Sequence, residues 1–270
     1  MPLSSQNSTE TCRLLVHFGY HKALTQFFKQ IFTLLTEQLG WYYRHHNSNL
    51  QAFYTDVLER DEKRLVGVDH WLIDFDRLPN FLGSHVIRDP RDLLISGYRY
   101  HLWCNEKWAC RPMDARLHKR LELESLGLNK NAQSKSYQQL LNSVDEHTGL
   151  MIELNWRRPH FQQMAEWNYQ DPRILELRYE EVFGNESGEV MKLLLHYGLL
   201  EHEALPIAKF ADQISFLQLS KKKQTGENEH ASVGRIDRWK SELPSQLRQE
   251  FKNRHGELLV QLGYESNQNW

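Results

Sequence analysis

Cysteine is scarce in this chain of 270 residues: Cys12, Cys104 and Cys110 are the only three, an odd number without a CxxC pair. That excludes a disulfide framework and fits reduced thiols packed as small hydrophobes in a cytosolic protein. No apolar run approaches the ~18 residues of a membrane span, so the expected protein is soluble and cytoplasmic. Charge of one sign is not in excess either, with 33 Lys and Arg against 35 Asp and Glu and a formal net charge of −2. This balance excludes a general affinity for nucleic acid or anionic membranes, and any anion site has to be a local cluster. The opening MPLSSQNSTET lacks the basic start and apolar stretch of a signal peptide. Residues 1–11 therefore read as a short mobile tail, and residues 12–270 as the domain.

What is present is enough apolar residue for a core. At 40% hydrophobic and 11% aromatic, the chain suits one large α/β domain. RLLVHF (13–18) reads as a buried strand, and the helix after it sets Leu24, Phe27, Phe28, Ile31 and Leu35 on one face. LVGVDH (65–70), SHVIRD (84–89) and RILELRY (173–179) read as three further strands, separated by helical or loop sequence. Strands interleaved with helices predict a three-layer α/β/α fold with a central, mostly parallel sheet. Residues 114–168 are helical and polar, with apolar points at Leu117, Leu121, Leu140 and Leu141, and read as a helical insert over one edge. SKKKQTGENEHASVG (220–234) is the clearest loop, before a final helix bearing Leu243, Leu247, Phe251, Leu258 and Leu262.

Two stretches carry chemistry. In VHFGYHKALTQFF (16–28) a strand turns through one glycine into a helix, yet Gly19, Tyr20, His21, Lys22, Ala23 and Leu24 offer no Ser, Thr, Asp or Asn to cap it. A phosphate or sulfate at the helix start would supply the missing acceptor, with Gly19 allowing close approach, Lys22 adding charge and Thr25 a hydroxyl. An ordinary strand-to-helix turn with water on the donors is the alternative. The spacing is not GxxxxGK[ST], which disfavours a nucleoside triphosphate loop. In SHVIRDPRDLLISGYRYH (84–101), Asp89 suits an N-cap, Pro90 the first helical position and Asp92 the first turn. Arg88 is then the last strand residue, at the carboxyl end where open α/β sheets bind ligands, and Ser96 lies two turns into the helix. Taken alone, Arg88 also suits an ion pair and Ser96 helix packing.

Together these stretches resemble the sulfotransferases that use 3′-phosphoadenosine 5′-phosphosulfate (PAPS). GYHKALTQFF is similar to that family's 5′-phosphosulfate loop, and VIRDPRDLLISGYRYH to its 3′-phosphate motif. LRYEEVF (177–183) and ISFLQLSKKK (214–223) are similar to two further segments, in the family's order, so the likeness runs from about residue 13 to 250. It implies a P-loop-like sulfotransferase fold and sulfuryl transfer from PAPS to a hydroxyl or amine of a small-molecule or carbohydrate acceptor. It implies that Gly19, Tyr20, His21, Lys22, Ala23, Leu24, Thr25 and Gln26 hold the phosphosulfate, with Lys22 stabilising the departing phosphate oxygen. Arg88 and Ser96 would bind the 3′-phosphate. Tyr179, Ser215 and Phe216 would surround the adenosine.

The sequence departs from the family late in the chain. HASVGRIDRW (230–239) keeps Gly234 and Trp239 but has Ser232 where the family has Arg and Asp237 at its second Gly. Arg235 beside Gly234, or Lys221 to Lys223, would take the missing contact. The catalytic base assigned is His70, at the end of LVGVDH, where the family commonly reads Lys-Thr-His; here Val68 and Asp69 precede it. A strand-end histidine bonded to backbone is the alternative, and His101 or the pair Glu146 and His147 are the rivals. His45 with His46, and His101 with Cys104, lack zinc spacing, so no metal is assigned. Trp103, Trp108, Tyr137, Trp156 and Trp167 line an acceptor cleft or fill a core. Two other readings stay open: a P-loop-type nucleotide or small-molecule kinase, and a nucleotide-binding module without catalysis.

Overall fold

The computed structural model describes residues 12–47, 49–128, 132, 134–215 and 235–270. The expected tail, residues 1–11, and the loop over 220–234 lie outside the described residues. Strand β1 (Leu14–Gly19) leads into helix α1 (Thr25–Leu39), then β2 (Tyr42–His46), α2 (Leu50–Leu58), β3 (Arg64–Asp69), β4 (Phe81–Ile87) and α3 (Pro90–His101). The insert that follows contains α4 (Lys107–Cys110), α5 (Ala115–Arg120), α6 (Tyr137–Leu141) and α7 (Glu146–Glu166). After β5 (Ile174–Arg178) come α8 (Tyr179–Val182), α9 (Glu186–His196), α10 (Glu201–Gln213), α11 (Trp239–Glu242) and α12 (Ser245–Gln261).

The five strands form one sheet in the order β2-β3-β1-β4-β5, and every pairing is parallel. The four expected strands are present, with edges moved by one to three residues. β2 was not expected: YYRHH carries only a polar, half-exposed pattern, and an edge strand needs one paired side only. Within β1, Leu14, Val16 and Phe18 face α2, packing in one core with Phe53, Val57, Val66 and Val68. Leu15 enters the larger core on the other face with Phe28 and Phe32. A sheet covered on both faces asks for a continuous apolar run, which LLVHF supplies apart from His17. That histidine is kept neutral by burial, its pKa pushed down to about 3, and its Nδ1 lies 2.7 Å from Ser84 Oγ, which contacts Tyr197.

α3 starts as the sequence predicts: Asp89 Oδ1 accepts from the Arg91 N–H at 2.9 Å, and Pro90 takes the first helical position. One residue further, Asp92 Oδ1 accepts from the Trp239 N–H at 2.9 Å, tying the C-terminal segment to the start of α3. β4 ends at Ile87, so Arg88 begins the turn into α3 instead of closing the strand. No helix among the described residues is long and apolar enough to cross a membrane.

Candidate active site

A cavity of about 930 Å³ opens at the carboxyl ends of β1, β3 and β4. The chain runs outward from β1 to β2 on one side and returns through β3 to β4 on the other, and such a reversal is where open α/β sheets place ligands.

Its floor is the loop between β1 and α1. The Ala23 N–H donates to Tyr20 O at 2.9 Å, closing a turn, while Lys22 (φ 74°) and Leu24 (φ 65°) stand in the left-handed region. Two non-glycine residues held there within three positions carry strain that the surroundings must maintain. As the sequence implied, no side chain caps α1. Gly19 has a local reason to lack a side chain: a Cβ there would lie 2.6 Å from Asp69 Oδ1. Its space is filled by that carboxylate, a close approach that the sequence reading had given to an anion. Asp69 also accepts from Thr25 Oγ1 at 3.2 Å and lies 3.1 Å from His45 Nε2. Burial pushes the Asp69 carboxyl up, but His45, with His70 and His17, more than offsets it and holds the group well below the usual carboxylate range.

Lys22 projects from this loop with Nζ 4.0 Å above the Tyr100 ring. Burial first, and then the nearby Arg88 and Arg157 guanidinium groups, lower its pKa to about 8. No carboxylate lies within ion-pair distance of it among the described residues. A bound anion would relieve that crowding of positive charge.

Arg88 meets the loop from the other side. It is 4% exposed; Nη1 donates to Lys22 O at 3.1 Å and Nη2 to Arg235 O at 2.9 Å. Its guanidinium stands 4.0 Å from the centre of the Tyr179 ring, and Nε is buried without a hydrogen-bond partner among the described residues. Ser96, Tyr179, Arg235 and Arg238 line the same end of the cavity.

His70 follows β3 directly, also left-handed at φ 67°. Its Nδ1 accepts from the His21 N–H at 3.2 Å, which places the proton of the neutral ring on Nε2. Burial lowers its pKa to about 4 despite the opposing pull of Asp69, so the ring is neutral at physiological pH. The rivals fall elsewhere. His101 is fully buried with Nδ1 2.8 Å from Glu153 Oε2, and Glu146 is exposed and accepts from Arg99 at 2.8 Å. Neither they nor His147 line the cavity.

Of the loop residues named from the sequence, His21, Lys22, Leu24, Thr25 and Gln26 line the cavity, whereas Gly19, Tyr20 and Ala23 are buried beneath it. Ser215 is buried just past α10 and is not among the lining residues. Phe216, Gly234 and Lys221 to Lys223 lie outside the described residues. Trp108 and Trp156 line the cavity, stacked at 5.1 Å with planes 8° apart. Tyr137 is instead buried with its hydroxyl on Glu153, Trp167 packs on His85, and Trp103 is exposed. His45 and His46 face Asp69 and Asp56, and among the described residues no group of three His, Cys, Asp or Glu is placed to hold a metal.

Sequence reading missed the support behind the loop. Glu153 on α7 is fully buried and bonded to His101, Tyr137 (2.7 Å) and Arg157 (2.8 Å). Arg157, also fully buried, extends Nη1 to within 3.5 Å of His21 O. The Glu153 and Arg157 spacing of i, i+4 was the available signal, but nothing in the sequence pointed it at a loop 136 residues away.

The family described as sulfotransferase domain matches residues 85–263, about two thirds of the chain. The chain belongs to the sulfotransferase domain family. The matched segment of this sulfotransferase contains Arg88, Ser96, Tyr179 and Arg235; the Lys22 loop and His70 precede it. No curated protein matches the chain. Solved structures similar to this sulfotransferase include the mouse sulfotransferase SULT7A1 complexed with PAP, at 14% identity over 92% of this chain and 84% of that one, with a TM-score of 0.49. Retinol dehydratase in a complex with retinol and PAP is similar at 14% identity over 92% of this chain and 81% of that one, with a TM-score of 0.47.

Proposed function

We propose that this sulfotransferase moves a sulfuryl group from PAPS to a hydroxyl or amine acceptor by in-line displacement. The observation that carries the reading is the union of two cations in one cavity: Arg88, from the segment that matches the family, is hydrogen-bonded to the backbone of Lys22 in the uncapped loop. The residues fit a nucleotide with two anionic groups, since Arg88 has a buried Nε without a partner and Lys22 an ammonium with no carboxylate within ion-pair distance among the described residues. When bound, PAPS supplies the sulfuryl group, whose bond to the 5′-phosphate breaks as the acceptor atom bonds to sulfur.

Each residue's part follows from its charge. Lys22 holds the 5′-phosphate and stabilises the negative charge that grows on its oxygen. Arg88, with Ser96 beside it, holds the 3′-phosphate through a planar fork. Tyr179 and Arg235 close the nucleotide end. His70 takes the acceptor proton at Nε2; since that nitrogen carries the proton in the resting ring, base action first moves it to Nδ1 at the expense of the His21 contact.

A thermal-shift panel of adenosine 3′,5′-bisphosphate, ATP and GTP tests the assignment, because a ligand that binds the native state raises the melting temperature. Stabilisation by the bisphosphate alone is expected. Stabilisation by ATP with none by the bisphosphate would favour a kinase and sink this proposal.

A further inference from the structure

We infer that the acceptor carries an acid group, a carboxylate or a sulfate, recognised by Lys107 and Arg111. The inference rests on the sulfotransferase reading above and names its substrate class. A series of contacts leads from the reaction centre away from the nucleotide end. Lys22 Nζ sits on the Tyr100 ring, the Tyr100 hydroxyl donates to Glu106 Oε1 at 2.7 Å, and the Trp108 indole N–H donates to Glu106 Oε2. Beyond Glu106 comes the single turn of α4, with Lys107 at its start and Arg111 just past its end.

This wall is unusually positive for an almost neutral chain. Lys107, Arg111 and Arg120 all line it. Arg120 is spent on the carbonyl oxygen of Trp156. Lys107 and Arg111 are exposed, and neither has an ion-pair partner among the described residues. Lys107 opens the turn and Arg111 follows it in extended backbone, so both cations line the same wall from one short segment. The nearest acid does not neutralise them. Glu106 is held ionised, well below the usual carboxylate range, by His21, the Tyr100 hydroxyl and the Trp108 indole, so its charge is directed into the cavity floor. The donor does not account for them either, because the proposed function gives its two phosphates to Lys22 and Arg88. Between the two ends Trp108 and Trp156 stack on one another, Trp156 buried and Trp108 half-buried at the cavity wall. A planar or ring-shaped acceptor body lying there would offer its hydroxyl to His70 and its acid group to α4.

The test measures binding to the bisphosphate-loaded protein by isothermal titration. Two matched pairs serve as probes: 4-hydroxybenzoate against its methyl ester, and a uronic-acid disaccharide against its neutral glucose counterpart. At least one acid should bind about tenfold or more tightly than its neutral partner, the size expected of a charged hydrogen-bonded pair, and the pair that responds identifies the acceptor as aromatic or saccharide. In the Lys107→Gln, Arg111→Gln protein that ratio should fall toward one. Equal binding within both pairs, no binding by any of the four, or a ratio unchanged by the double substitution would overturn the inference. Failure of the bisphosphate itself to bind would instead remove the sulfotransferase assignment on which it stands.

Discussion

Arg88 Nη1 donates to the backbone carbonyl of Lys22 at 3.1 Å, so the residue at the start of α3 braces the loop that carries the other cation. One contact therefore serves both ends of the proposed nucleotide. Under the proposed function Arg88 turns its unpartnered Nε to a phosphate while it braces Lys22, which stands in the left-handed region that non-glycine residues seldom adopt.

Removing the two cations should separate their roles. Lys22→Ala is expected to lower turnover far more than bisphosphate affinity, since its charge matters most when the leaving oxygen becomes negative. Arg88→Ala should weaken bisphosphate binding by about 2 kcal/mol or more, the scale of a lost charged hydrogen bond, and Arg88→Lys should restore only part, because an ammonium lacks the fork. Titration calorimetry and steady-state rates read the split. Small, equal effects of both alanine variants would mean that neither loop holds nucleotide.

Lys22 also predicts a pH dependence with a definite sign. Its pKa in the free protein is lowered to about 8, and a bound phosphate raises it by adding negative charge. Above pH 8 the free protein has lost the proton that the complex keeps, so binding takes up a proton and affinity falls as pH rises. Titration of bisphosphate at pH 8.5 in two buffers of different ionisation enthalpy should show that uptake, and Lys22→Met should abolish it. Equal heats in the two wild-type titrations would contradict the placement of a phosphate at Lys22.

For His70, alanine should cost ~10²-fold or more in turnover with bisphosphate affinity nearly unchanged. Its pKa of about 4 means that the ring stays neutral well below the ordinary histidine range, so the acid limb of kcat/KM should fall near pH 4. His70→Gln distinguishes base from donor, because glutamine keeps a donor near the Nε2 position but takes no proton. Near wild-type turnover by the glutamine variant would make His70 a hydrogen-bond donor to the reacting group.

Behind the loop, Gly97 is the test of the buried network. A Cβ at this position would overlap Arg157 Nη2 and Glu153 Oε1, both of which are locked in fully buried side chains. Gly97→Ala should cost about 2–3 kcal/mol in urea unfolding, the upper range for overpacking. A loss below about 0.5 kcal/mol would show that Arg157 has room to move, and so does not fix the position of His21.

The sequence by itself determined the pieces whose signals are local. Apolar runs named four strands, the missing cap singled out the loop before α1, and Asp-Pro with Asp92 located the start of α3. These follow from neighbours within a few residues, where backbone sterics and hydrogen-bond demand act directly. β2 escaped because an edge strand with polar residues has little periodicity, and Arg88 was placed one residue too deep in its strand because such boundaries are set by pairing with the next strand. Only the tertiary structure decided that Arg88 braces Lys22, that Asp69 fills the space beside Gly19, and that His101 is locked on Glu153 while His70 faces the cavity. Each of these joins residues tens of positions apart. Their energies depend on burial and on which groups converge once the parallel sheet is assembled, and no short stretch of sequence records that convergence.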